Sequence, residues 1–184
     1  MQSTQSTPIL SVRKIVITGI LVSITLLLGF TRIGFIPVPF PPGDATIMQV
    51  PVIIGSILEG PVVGTLIGFI FGVTSMLQGG GGPFADPLVS ILPRLFIGVA
   101  AYYSYAALRG KSEYVAIIVG SVAGTLTNTI LVLGMLVLRG YFPAAAFIPL
   151  IPAIIIEVVI AVVITLAVVV AWKNIDGGRK GSTV

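Results

Sequence analysis

Three polar side chains lie within long apolar stretches of the sequence: Arg94, Asn128 and Glu157. Charged and amide groups are costly inside hydrocarbon, and in membrane proteins they usually mark functional sites. The Arg94 guanidinium offers a planar fork of donors that suits a carboxylate. Glu157 can orient the arginine or accept from a ligand hydroxyl, and the Asn128 amide can both donate and accept. These residue types predict a binding site for a small polar molecule.

The three side chains are expected at a similar depth. At about 1.5 Å of rise per residue, Arg94 and Glu157 lie roughly 10 Å, and Asn128 roughly 15 Å, below the outer ends of their predicted helices. In an alternative interpretation, Arg94 and Glu157 pair only with each other and hold helices together. Packed apolar residues could replace such a pair at little cost in stability. We therefore favour a ligand pocket that opens outward.

Composition indicates that these residues belong to an integral membrane protein. Of the 184 residues, 56% are hydrophobic and 9% are charged, whereas roughly a quarter of the residues in a soluble domain are charged. The length fits a single domain, residues 1–184. Lys and Arg lie mainly between apolar runs and form no basic stripe. Contact with a lipid bilayer is therefore expected, and nucleic-acid binding is not.

Six apolar stretches predict an all-α membrane fold with six transmembrane helices. They cover residues about 12–31, 46–59, 61–78, 87–108, 114–138 and 150–172. Placing both termini inside puts most Lys and Arg residues in the cytoplasm, which predicts an N-in, C-in orientation. The outward connections, 32–44, 78–86 and 139–149, are then long and rich in Gly and Pro. Loops of this kind usually carry function, and we expect them to cover the pocket with aromatic side chains such as Phe40 and Phe84.

Small residues recur at four-residue spacing on two predicted helices. Gly60, Gly64, Gly68 and Gly72 line one face of the third helix, where we expect close packing within the chain. Gly19 and Ser23 have the same spacing on the first helix. That face is a candidate for docking on a partner protein.

No motif for catalysis is present. The sequence has no Cys and no His, and it contains neither a carboxylate cluster for a metal nor a nucleotide-binding P-loop. We expect no enzymatic activity, no metal site and no cofactor in this chain. No inverted repeat of the kind that secondary transporters often have relates the two halves. A pocket without an energy source indicates a capture subunit that is driven by another protein.

Several stretches resemble one known family in their order along nearly the whole chain. They are "GFTRIGFIP", "ATIMQVPVIIGSILEGPVVGTLIGFIFGVTSML", "LPRLFIGV", "GTLTNTILVL" and "IIIEVVIAVVIT". They resemble the substrate-binding (S) components of energy-coupling factor (ECF) vitamin transporters. Residues 45–61 and the "LTNT" of 126–129 are most similar to the pantothenate-specific branch.

The resemblance implies an S component of the cell membrane that binds its vitamin from outside. Through its first helix it associates with a transmembrane coupling subunit, which carries two cytoplasmic ATPases that use ATP. The family's small-residue motif falls on Gly19 and Ser23, where alanines are common in relatives. Ligand contacts are implied for the outer loops and helices four to six, and Gln49 stands where pantothenate-branch relatives often have histidine. Pantothenate is the expected ligand. Alternatives are a pyridoxine-like or hydroxymethylpyrimidine-like vitamin, or a membrane scaffold without transport.

Overall fold

A computed structural model describes residues 12–37, 44–79 and 81–181. The described chain is helical apart from one short ribbon of two strands. The helices are α1 (Val12–Phe30), α2 (Gln49–Glu59), α3 (Pro61–Gln78), α4 (Pro87–Ser90), α5 (Leu92–Leu108), α6 (Glu113–Leu138) and α7 (Ile151–Gly181). Short 3-10 segments at Pro83–Ala85 and Ala144–Leu150 precede α4 and α7.

Five helical stretches of the described chain are long and apolar enough to cross a membrane. They are Val12–Phe30, Pro61–Gln78, Pro87–Leu108, Glu113–Leu138 and Ala144–Asp176. With 11 residues, α2 extends only about 16 Å, which is roughly half of a hydrocarbon core. Six spans and the N-in, C-in orientation are therefore not confirmed. The Arg13 guanidinium lies 3.1 Å from the Asp176 carboxylate, so α1 begins at the end of the bundle where α7 leaves it.

The predicted all-α class is confirmed, and the connection between α1 and α2 adds one short ribbon to the helical bundle. Strands β1 (Phe35–Pro37) and β2 (Asp44–Thr46) pair antiparallel, with Phe35 opposite Thr46. The ribbon lets backbone groups hydrogen-bond to each other where apolar surroundings would otherwise leave them unpaired. The predicted helix 46–59 is shorter than expected, because Thr46 ends β2 and α2 begins only at Gln49. Phe40 lies outside the described residues.

The predicted helix 87–108 is broken into α4 and α5 at Ile91. Pro93 causes the break, because it has no backbone N–H and its ring collides with the preceding turn. In a continuous helix, the N–H of residue 93 would donate to the carbonyl of Val89. Proline leaves that carbonyl free to accept from another donor, within the same turn as Arg94.

Glycines bring α3 and α5 into backbone contact. A Cβ on Gly64 would lie 2.8 Å from the Gly98 Cα, and one on Gly72 would lie 2.7 Å from the Ile91 Cα. Gly68 faces the Arg94 carbonyl oxygen just as closely. The predicted packing within the chain is confirmed for these glycines. Gly60 differs, because a Cβ there would meet no described atom within 4 Å and its φ of 103° ends α2 in a conformation that favours glycine.

Two ionic clusters join the helices at the end of the bundle where α1 begins. Arg13 contacts Glu59 at 3.0 Å and Asp176 at 3.1 Å, which ties α1 to α2 and α7. Lys173 of α7 contacts both Glu113 of α6 and the Tyr105 hydroxyl of α5. Both clusters lie far from the predicted binding residues.

Candidate binding site

A cavity of about 250 Å³ lies between the ribbon and helices α3, α5, α6 and α7. Arg94, Asn128, Glu157 and Phe84 all line it, so three helices and one loop bring these predicted site residues together. Gln49 does not line the cavity but lies directly behind Glu157.

Arg94 is held on one wall by local contacts. Its Nη1 donates to the Val89 carbonyl, the acceptor that Pro93 leaves free. Its Nη2 donates to the Ser75 hydroxyl at 3.4 Å. The guanidinium carbon also lies 5.3 Å from the centre of the Phe71 ring and 5.9 Å from that of Phe84, within the range of cation–π attraction. The guanidinium is thus fixed in orientation, and no carboxylate of the described residues forms a salt bridge with it.

Glu157 lies on another wall and is held by three donors. Its Oε1 accepts from the Thr46 backbone N–H at 3.2 Å and from Gln49 Nε2 at 3.0 Å. Its Oε2 lies 3.4 Å from the Thr129 hydroxyl. These neutral donors come from the ribbon, α2 and α6, and they support a carboxylate that is only 6% exposed. Gln49 therefore acts on Glu157 and not on the cavity directly.

No ion pair joins Arg94 to Glu157 within the described residues. The two charges face one cavity and are 3% and 6% exposed, so solvent screens neither of them well. A pair that served only to clamp helices would bring its charged atoms together. Separate charges on a shared cavity instead leave both free for complementary groups of a ligand.

Sequence reasoning missed several residues of the site. Thr46, Phe71, Ser75 and Thr129 line the cavity and contact Arg94 or Glu157. Thr129 follows Asn128 directly in the "LTNT" stretch, which is a local signal that it shares the site. Thr46 and Ser75 reach the site only through the folding of the chain, and no spacing in the sequence predicts their contacts.

Asp86, just before α4, links its own connection to the one that follows α6, and both connections border the cavity. Its Oδ1 accepts from the Leu88 backbone N–H at 2.9 Å, which caps α4, and its Oδ2 accepts from Arg139 Nε at 2.7 Å. The Tyr141 hydroxyl lies 3.4 Å from the same Oδ2. The Leu88 N–H and the Arg139 guanidinium lower the pKa of the Asp86 carboxyl, although desolvation opposes them. Phe84, two residues before Asp86, is thereby held at the cavity.

Comparison with known families identifies the architecture. The family model for "ECF transporter, substrate-specific component" matches residues 13–169. The chain belongs to this family. The match includes the ribbon, all residues that line the cavity and most of α7.

A solved structure supports the fold of this ECF substrate-specific component. The structure is described as the S component of a bacterial ECF transporter, and it covers 89% of this chain and 96% of its own with a TM-score of 0.65. At 19% identity the likeness concerns the fold alone. Comparison with curated proteins gives no match. The predicted family is thus confirmed, and the substrate is not determined by these similarities.

Proposed function

We propose that this substrate-specific component captures pantothenate from outside the cell. The observation that carries the proposal is that Arg94 and Glu157 lie on the walls of one cavity and form no ion pair with any described residue. A ligand with a carboxylate at one end and a hydroxyl at the other satisfies both. The carboxylate meets the Arg94 guanidinium, the hydroxyl donates to Glu157, and Asn128 meets the amide between them.

The energy for uptake comes from other subunits in this proposal. The sequence has no nucleotide-binding motif, and in the described part of the chain no group of three or more Asp, Glu, His or Cys side chains is placed to hold a metal ion. A transmembrane coupling subunit docks on α1 at Gly19 and Ser23, and two cytoplasmic ATPases supply ATP hydrolysis. The assembly works in the cell membrane.

Aromatic side chains favour one second candidate. Phe35, Phe71 and Phe84 line the cavity and could stack on a pyridoxine-like or hydroxymethylpyrimidine-like ring. Such a vitamin has no carboxylate, so Arg94 would keep a buried charge without an anion. We therefore rank pantothenate first. A scaffold without transport is the remaining alternative and binds neither kind of ligand.

The isolated chain is expected to bind pantothenate without accumulating it. Calorimetric titration of the purified protein should give saturable binding, and liposomes that contain this chain alone should take up no pantothenate under any ion gradient. A pyridoxine-like compound and a hydroxymethylpyrimidine serve as competing ligands in the same titration. No heat with any of the three would favour the scaffold. Uptake by the chain alone would contradict the need for an energising module.

Loss of the Asp86–Arg139 contact is expected to shorten the residence time of pantothenate. Asp86→Asn keeps an acceptor for the Leu88 N–H but removes the charge that holds Arg139. Since the pair is partly exposed, we expect the dissociation rate to rise about fivefold. Asp176→Asn is the control, because it removes a salt bridge of Arg13 at the opposite end of the bundle. Equal rates in the wild type and Asp86→Asn would contradict this role.

The same contact predicts a pH dependence with a definite sign. The Asp86 pKa lies below its ordinary 3.8 in the folded protein. The stabilisation that the ionised Asp86 gives the folded protein is therefore present above pH 3.8, and it is lost as the pH falls through the lower pKa of the folded state. The ratio of the dissociation rates of Asp86→Asn and the wild type should therefore be the same at pH 8 and at pH 5.

A further inference from the structure

Helix register places two buried amides at the level of Glu157. Helices α2 and α6 run antiparallel, because a Cβ on Gly120 would lie 3.5 Å from Ile57, and one on Gly124 would lie 2.8 Å from Ile53. One further turn along each helix places Gln49 of α2 opposite Asn128 of α6. Gln49 donates to Glu157, and Thr129, the neighbour of Asn128, lies beside the same carboxylate.

Three oxygens in this region have no hydrogen-bond partner among the residues that the structure describes. They are Gln49 Oε1, Asn128 Oδ1 and the Thr125 hydroxyl, all sealed from solvent. The carbonyl oxygens can only accept, so each loses its hydration without compensation. Native proteins rarely leave several such atoms together unless a water, an ion or a ligand completes the site.

Thr125 differs from its neighbours on the same helix. The Ser121 hydroxyl donates to the Ile117 carbonyl at 2.7 Å. The single proton of the Thr129 hydroxyl is shared between the Thr125 carbonyl at 3.2 Å and the Glu157 carboxylate at 3.4 Å. Such bonds to the preceding turn satisfy most buried hydroxyls in helices. The Thr125 hydroxyl makes no such bond although it is fully buried. It therefore keeps a lone pair for a different partner, one turn below Asn128 and Thr129.

We propose that Glu157, Gln49, Asn128, Thr125 and Thr129 form a site for a monovalent alkali cation, Na⁺. Hard cations prefer carboxylate, amide and hydroxyl oxygens, which are the groups gathered here. The sequence argued against a metal site for want of Cys, His and clustered carboxylates. An alkali ion requires none of these. With Arg94 and Glu157 on the same cavity, a monovalent ion leaves one positive charge in excess, whereas a divalent ion would leave two in a poorly solvated region, which costs more.

The proposed cation is coupled to the ligand through charge. Arg94 and Glu157 cancel each other in net charge, so a bound Na⁺ leaves the cavity with one positive charge in excess. An anionic ligand restores neutrality and should bind more tightly when Na⁺ is present. The coupling is reciprocal, because each ligand changes the affinity for the other by the same factor. This second step depends on the proposed function, whereas the cation site itself does not.

Thermal unfolding of the ligand-free protein tests the site. Melting temperatures are compared in sodium chloride, potassium chloride and N-methylglucamine chloride at equal ionic strength. Sodium at ten times its dissociation constant should raise the melting temperature by about 4 °C over N-methylglucamine. An equal rise with potassium would indicate a general salt effect and overturn the proposal. No rise would mean that water alone completes these oxygens, which overturns it as well.

Two threonine variants localise the effect. Thr125→Val keeps the side-chain shape and removes the hydroxyl, so the sodium-dependent rise should fall to less than half. Thr165→Val is the control, because the buried Thr165 hydroxyl also has no partner in the described part of the chain but lies two turns along α7 from Glu157. An equal sodium effect in both variants would overturn the assignment of Thr125. If Thr125→Val does not fold, the comparison of salts in the wild type decides alone.

Titration with pantothenate in the same salts separates the two proposals. We expect binding to be about tenfold tighter in sodium than in N-methylglucamine. A sodium-dependent melting temperature without pantothenate binding leaves the cation site standing and contradicts the proposed substrate. Pantothenate binding that is equal in all three salts contradicts the coupling.

Discussion

Arg94→Ala is expected to weaken pantothenate binding by about a hundredfold or more. The substitution removes a charge-assisted contact from a desolvated cavity, and most of the cost comes from the ligand carboxylate that loses its partner. Each tenfold loss corresponds to about 1.4 kcal/mol. The Val89 carbonyl and the Ser75 hydroxyl also lose a donor. Calorimetric titration of the purified variant measures the loss directly.

Lysine at this position should restore only part of the affinity. An ammonium can reach a carboxylate as a point charge, but it cannot form the two parallel bonds of a guanidinium. Arg109→Ala provides the matched control, because Arg109 is an exposed arginine at the other end of α5. Its removal should leave the affinity unchanged.

A helix clamp between Arg94 and Glu157 predicts a different pattern. In that case Arg94→Ala lowers thermal stability, and the double variant Arg94→Ala, Glu157→Gln recovers it. The absence of an ion pair between these two residues in the described chain argues against recovery. Unchanged affinity in a folded Arg94→Ala protein would show that the arginine touches no ligand.

The convergence of Arg94, Asn128 and Glu157 could be predicted because helix geometry is regular. A rise of about 1.5 Å per residue converts position in an apolar stretch into depth, and the cost of buried charge makes such residues informative. The cavity contains all three. Their neighbours could not be predicted in this way. Thr46 and Gln49 reach Glu157 across more than a hundred residues of sequence, and only the packed fold brings them there.

Errors in the predicted spans have identifiable local causes. Residues 46–59 are mostly apolar, so composition alone extends the helix to Thr46, which ends the second strand of the ribbon. The break before α5 was available from Pro93, whose missing N–H interrupts a helix. The effect of this break on the site could not be predicted from the sequence. The freed Val89 carbonyl matters only because the Arg94 side chain turns back and donates to it. Patterns in sequence thus predicted elements better than the contacts between them.

Helix α1 contributes few residues to the core of the chain. Only Ile17, Leu21, Thr25 and Gly29 are buried among its 19 residues, and they form a narrow stripe at four-residue spacing. Gly19 and Ser23 lie on the exposed side, and the Ser23 hydroxyl donates to the Gly19 carbonyl at 2.8 Å. A Cβ on Gly19 would meet no other atom of the chain within 4 Å. Small size at this position is therefore not required by packing within the chain.

Gly19→Trp is expected to abolish ATP-driven uptake by the complete transporter and to leave pantothenate affinity intact. A large ring on this face would prevent the close helix approach that small residues allow. The measurements are co-purification with the coupling subunit, uptake by the reconstituted complex and titration of the isolated chain. Gly134→Trp is the matched control, because Gly134 is an exposed glycine of α6 with nothing within 4 Å of an added Cβ.

Comparison of the two tryptophan variants separates docking from a general effect of bulk in the membrane. If Gly19→Trp alone loses the coupling subunit, the exposed face of α1 is the docking surface. If both variants lose it, a large side chain disturbs the bundle irrespective of its position. Retention of the coupling subunit by Gly19→Trp would place the docking surface elsewhere. Gly19 does not line the cavity. Lost uptake with unchanged affinity in Gly19→Trp, beside normal uptake in Gly134→Trp, would therefore show a failure to couple capture to the energising module.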